Sequence, residues 1–194
     1  MVTQELSGLL RDTIEIHDLG SLGAADDLGG GGAEAERLEV PVWHQSQTLW
    51  CWAAASSAIA NFYVGREQWR QCQVAAGVVS SPDCCANGSA CNAEASLRTA
   101  LTVVGSFREL RDRCLTMDEI TAEIRARRPI GVRTLWASGK GHFIAISGYR
   151  RTSDGDVINV EDPWYDASDV VYDRLVEAYP PDDGVWTHSY LTEP

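Results

Sequence analysis

Between Trp43 and Tyr63 the chain carries no Asp, Glu, Lys or Arg. Inside that interval CWAAASSAIANFY, residues 51–63, reads as a helix of about three turns with almost no polar surface. Such a helix does not lie on the outside of a small domain. It must be buried, and the rest of the fold has to cover it. The 194 residues allow one domain with a sizeable core and a short appendage. No apolar run approaches the roughly 18 residues needed to span a bilayer.

Around this helix the sequence divides into two textures. Residues 93–104, AEASLRTALTVV, repeat apolar positions at helical spacing. Thr116 and Glu119 form a T-x-x-E capping box that opens a further helix, MDEITAEIRARR, stopped before Pro129. After Pro129 the pattern changes to strands: IGVRTLW, HFIAISGYR, DVINVED, DVVYD and GVWTHSYLT, separated by turns such as SDGD. Helices first and strands afterwards predict an α+β fold in two segregated halves.

Residues 21–39 hold Gly29 to Gly32 in a row among alanines and acids, which reads as a flexible linker. The folded domain is therefore expected over 40–194, with 1–39 as an appendage. Two readings of residues 1–20 stand: a disordered or propeptide-like tail, and a leader of the double-glycine type trimmed after a Gly-Gly pair during export. The start lacks the basic and apolar regions of an ordinary signal peptide, so export needs such a route and the cytoplasm is the alternative. Net charge is −12, with nine acids against two arginines in 1–40 and eleven against one in 153–194. That balance argues against nucleic acid and anionic membrane as partners. A monomer acting without a cofactor is expected.

Six cysteines are present, four of them within residues 72–91. Cys72, Cys84, Cys85 and Cys91 lack a C-x2-C pair, and adjacent cysteines cannot easily share a tetrahedral ion. A disulfide-stapled loop is expected there over a zinc site, with the pairing open. Cys51 is different. It opens the buried helix between Trp50 and Trp52, and a helix N-terminus beside a histidine favours the nucleophilic thiolate. Of the four histidines, His17 lies in the appendage, His44 is close to Cys51 in a loop, and His188 in the last strand is the fallback. His142 is the candidate base: glycines at 139 and 141 clear space before it, and a strongly apolar strand follows. Asp162 ends the next strand, and an antiparallel pair joined by SDGD brings 142 and 162 together as base and orienter. Gln45, six residues before the cysteine in Q-x5-C, is the candidate oxyanion donor alongside the Cys51 amide, with Gln47 as rival.

Taken in order, Gln45-x5-Cys51-Trp52-Ala53, HFIAISGY around His142 and Asp162-Pro163-Trp164 resemble papain-like cysteine proteases. Residues 40–194 are similar to the compact bacterial branch, which includes staphopain-like secreted enzymes and papain-like effector proteases. The resemblance implies a helical half carrying the nucleophile and an antiparallel β half carrying histidine and acid. It also implies that Trp164 shields the hydrogen bond between His142 and Asp162. Aspartate stands where papain itself has asparagine, which favours the thiolate–imidazolium pair, and the usual glycine-rich lead into the cysteine is replaced by LWC.

Three functions fit these residues. The first is an endopeptidase working through a Cys51 thioester on protein or peptide substrates. The second uses the same triad for acyl transfer or glutamine deamidation. The third is a non-catalytic peptide-binding module, disfavoured because a relict site has no reason to keep Gln45 with the triad.

Overall fold

A computed structural model describes residues 34–194 apart from 66 and 182. The expected leader and most of the expected linker, residues 1–33, lie outside the described residues.

The uncharged run forms helix α1, Cys51–Val64, in which every residue from Trp52 to Asn61 is buried. Alanine supplies propensity and small volume. The polar members are satisfied locally: Ser56 Oγ donates to the Trp52 carbonyl at 2.8 Å and Ser57 Oγ to the Ala54 carbonyl at 2.9 Å. Asn61 holds the following loop with two bonds to the Trp69 backbone, at 2.8 and 2.9 Å. Two elements wall α1 on one side, α2 (Gln71–Val79) and α3 (Leu97–Val103). Their buried Val74, Ala75, Leu97, Ala100 and Leu101 join Ala53, Ala55 and Ile59 in one cluster.

The other side is closed by a seven-stranded sheet. Its strands are β1 (Glu34–Arg37), β2 (Phe107–Arg111), β3 (Ile130–Leu135), β4 (Gly141–Arg151), β5 (Val157–Asp162), β6 (Asp166–Val171) and β7 (Val185–Thr192). The order is β2-β7-β3-β4-β5-β6, with antiparallel neighbours throughout. Strand β4 is buried continuously from His142 to Tyr149, so both of its faces are covered. Alternation decides which residue goes where. Phe143 and Ala145 pack with α1–α3, whereas Ile144 and Ile146 pack with Ile120 and Ile124. Those two isoleucines belong to α4 (Met117–Arg125). Its N-terminus carries the expected capping box: Thr116 Oγ1 accepts from the Glu119 amide at 3.3 Å, and Glu119 Oε2 accepts from the Thr116 amide at 2.9 Å. The last helix is α5, Tyr172–Glu177.

The α+β division holds, with helices mainly in the first half and the antiparallel sheet mainly in the second. Four details differ from the sequence reading. Glu34–Arg37, expected to be linker, is strand β1 and pairs with the far end of β4. Its short alternating pattern is anchored by Arg37 to Glu161 at 3.0 Å and by the Tyr149 hydroxyl to Glu34 at 2.9 Å, contacts no linker composition reveals. Residues 71–79, inside the cysteine-rich stretch read as a loop, are helical because Val74 and Ala75 pack on α1. Strand β2 lies within the helical half of the sequence, and the Tyr-Asp end of DVVYD belongs to α5.

Gly148 is where β1 crosses β4. A Cβ there would press on Asn159 Oδ1 and come within 2.5 Å of the Glu36 carbonyl oxygen and 2.8 Å of Arg37 Cα. Backbone cannot move aside as a flexible side chain can. Gly148→Ala is therefore expected to cost about 1–3 kcal/mol of stability, read as a lower denaturation midpoint in urea, while Gly155→Ala, with nothing within 4 Å but a φ of +131°, tests strain without crowding.

Candidate active site

The first turn of α1 has no side-chain cap and no acidic residue, so its leading amides, beginning at Cys51, stay available as donors. Cys51 is a free, partly exposed thiol. It is held in place by its neighbours. Trp50 and Trp52 are buried, and their indole N–H groups donate to the Cys91 carbonyl at 2.8 Å and the Ala93 carbonyl at 3.0 Å. Cys91 is itself fixed, because the four clustered cysteines pair as Cys72–Cys85 and Cys84–Cys91. The expected stapled loop thus braces the segment around Cys51.

Facing Cys51, His142 opens β4 and Asp162 closes β5. The two strands are antiparallel neighbours, and His142 Nε2 lies 2.8 Å from Asp162 Oδ1 with both side chains almost fully enclosed. Asp162 collects more than the histidine. Its Oδ1 also accepts the Trp164 amide at 2.7 Å and the Tyr165 amide at 3.1 Å, and its Oδ2 accepts the Tyr179 hydroxyl at 2.8 Å. The carboxylate so nucleates the turn between β5 and β6 while orienting the imidazole. Burial by itself would raise its pKa; the hydrogen bond and charge of His142, with the Trp164 and Tyr179 donors, hold it below the usual carboxylate value. Burial would likewise depress His142, but its hydrogen bonds to Asp162 and Cys51 win and raise it to about 9.

The cleft between the two halves encloses about 690 Å³, and Cys51, His142, Gln45, Trp136, Trp164 and Tyr165 are among the residues that line it. Gln45 sits at its edge, tied by its amide N–H to the Pro163 carbonyl at 2.9 Å. Its side-chain Nε2 donates to the carbonyls of Gln47 and Thr48, at 2.8 and 2.9 Å, and its Oε1 is buried without a partner. Both amide hydrogens are thus engaged within the loop. The rival Gln47 packs against Gly88. His44 pairs with Asp166 at 2.8 Å on the exposed surface, and His188 bonds Thr187 Oγ1 at 2.9 Å on β7. Neither lines the cleft.

One expectation is corrected. Trp164 is 46% exposed, and the ring stacked on the imidazole is Trp136, with centroids 5.3 Å apart and planes at 27°. Tyr165 approaches edge-on at 6.2 Å. The reason lies in the hairpin: Thr134 pairs with His142, which puts Trp136 diagonally beside it on the same face. Trp136 ends the IGVRTLW run, so sheet register gives the one signal that could have found it. Tyr179 had none, since its contact with Asp162 depends on the course of the chain after α5.

A cysteine at the head of a buried helix, facing a histidine backed by a carboxylate across a two-part cleft, is the arrangement of a papain-like cysteine protease. A family model described as papain-like cysteine protease AvrRpt2 matches residues 34–174, a span that opens at β1 and contains Cys51, His142 and Asp162. The chain belongs to that family and is a cysteine protease, an enzyme acting on protein. No curated protein matches it.

The raised pKa of His142 fixes the sign of two pH effects. Its charged form stabilises the fold in full below about 6.5, and that contribution is lost as pH rises through about 9. Activity that needs a protonated His142 should fall over the same alkaline range, as a pH profile of kcat/KM will show. In parallel, Trp136→Ala is expected to lower kcat/KM by roughly 3- to 10-fold and Trp164→Ala by less, because only the former removes a ring stacked on the imidazole.

Proposed function

We propose that the protein is an endopeptidase in which Cys51 is the nucleophile, His142 the general base and acid, and Asp162 the group that orients His142. One observation carries this reading: His142 Nε2 lies 2.8 Å from Asp162 Oδ1, and the same imidazole lines one cleft with Cys51 at the head of α1. The imidazole is thus placed to take the thiol proton while its tautomer and plane are fixed from behind.

Cys51 first gives its proton to His142, which holds it as imidazolium, and the thiolate Sγ then bonds to the scissile carbonyl carbon. The carbonyl oxygen becomes an oxyanion and receives the Cys51 backbone N–H, one of the uncapped donors of α1. Gln45 completes that site. Because its Nε2 is held by the Gln47 and Thr48 carbonyls, the arriving substrate has to draw it out, and the backbone amide is the principal donor. Collapse breaks the C–N bond, and the leaving amine takes the proton from His142. Water then attacks the thioester, giving its proton to His142, which returns it to Cys51 as the acid product leaves.

Incubation of the enzyme with a peptide library, followed by mass spectrometry, tests the reaction class. New peptide termini are expected. Intact substrates carrying a joined amine, or a glutamine converted to glutamate, would instead assign the triad to acyl transfer or deamidation. Cys51→Ala should remove at least about 10^4-fold of activity with the thermal midpoint nearly unchanged, and Asp162→Ala about 10^2- to 10^4-fold, since it orients the base and does not react. An epoxysuccinyl inhibitor should add once to wild type and not to Cys51→Ala. Full activity in the alanine variant would overturn the nucleophile assignment.

A further inference from the structure

The cleft holds charges that the reaction does not use. Arg133 and Lys140 line it from the β3–β4 hairpin, and Glu94 lines it from the helical half. Arg133 is the informative one. It stands mid-strand, paired with Phe143 on one side and His188 on the other, and it is only half buried. Its guanidinium lies across Gly141, where an added Cβ would come 3.0 Å from Nε and 3.1 Å from Nη2. Glycine immediately before His142 therefore makes room for an arginine head beside the reacting residues. Among the described residues the head has one side-chain hydrogen bond, from Nη1 to the neutral Thr187 Oγ1 at 3.1 Å, and no carboxylate within ion-pair distance. Asp112 lies against His188, the β7 partner of Arg133, at 3.7 Å. Elsewhere Arg37, Arg113 and Arg151 each meet a carboxylate, and Arg98 and Arg127 lie over aromatic rings. A planar fork of donors left open at a cleft wall is built to take a carboxylate.

We propose that Arg133, with Lys140 at the rim, recognises an acidic side chain, aspartate or glutamate, in the substrate next to the scissile bond. The place follows from register. Arg133 pairs with Phe143, the residue after His142, and lines the same cleft as Ala95 and Glu94 of the helical half. A peptide whose carbonyl is held at Cys51 passes between these walls. Glu94 repels an acid on its own side and so sharpens the choice of the Arg133 wall. This specificity rests on the endopeptidase reading given above.

The test is cleavage of a peptide library in which acidic, basic and apolar residues are fixed in turn at each position flanking the bond. Wild type is expected to favour Asp or Glu at one position by about 10- to 100-fold in kcat/KM. Arg133→Gln should flatten that preference, and Arg133→Glu should turn it toward Lys or Arg at the same position. Gln keeps the first three side-chain carbons and an uncharged polar end, so the first variant stands even if the charge reversal fails to fold. Labelling by the epoxysuccinyl inhibitor in each variant reports an intact reacting site. Active wild type without an acidic preference at any position, or a preference that Arg133→Gln leaves unchanged, would overturn the proposal. Unlabelled, inactive wild type would instead overturn the endopeptidase reading, and this proposal with it.

Discussion

Everything in this structure answers to one demand, that a helix without charges be enclosed. Ten consecutive residues of α1 are buried, more than the one apolar stripe of an ordinary surface helix can offer. Enclosure requires a wall on each side, α2 and α3 on one and the sheet on the other. The strand nearest the helix, β4, must then be apolar on both faces, and it is. Cys51 at the head of α1 and His142 at the head of β4 are thereby brought to the same end of a rigid contact. The pair is positioned by hydrophobic burial, and polar groups refine what burial has set.

The refinement centres on Asp162. A carboxylate enclosed to this degree is expensive unless its lone pairs are occupied, and four donors occupy them: one imidazole, two backbone amides and one phenol. All four present hydrogens, which explains why an acid is suited to the position. An asparagine would turn an amide NH2 toward one of these partners and would have to reverse the Tyr179 hydroxyl to fit. The same bonds tie down the β5–β6 turn, so the residue that holds the imidazole of His142 also shapes that turn.

How much of this was legible in the sequence follows from the range of each interaction. Helix α1, the capping box at Thr116 and the strands after Pro129 are local patterns. They were readable because periodicity and capping act within a few residues. Placing His142 beside Asp162 needed one further step, the pairing of two strands across a short turn. Strand β1 was hidden because its pairing partners are more than a hundred residues away and its own composition is that of a linker. The exchange of Trp164 for Trp136 at the imidazole was hidden by a plausible motif, and only the register of β3 against β4 decides between them. Gln45 illustrates another limit: spacing placed it beside the cysteine, but the direction of its amide depends on the loop carbonyls of Gln47 and Thr48.

The last described strand is an interior strand of the sheet. β7 lies between β2 and β3, and β2 joins the sheet through β7 alone. Cys51, His142 and Asp162 all precede it: a ribosome that has passed Asp162 has still to add residues 185–192. Until those residues emerge, β3 has one bare edge and the helical half lacks its strand connection to the β half. The order of synthesis therefore places the closing of the sheet after Cys51, His142 and Asp162 have all been translated, so the cleft residues exist before the sheet that carries two of them is complete.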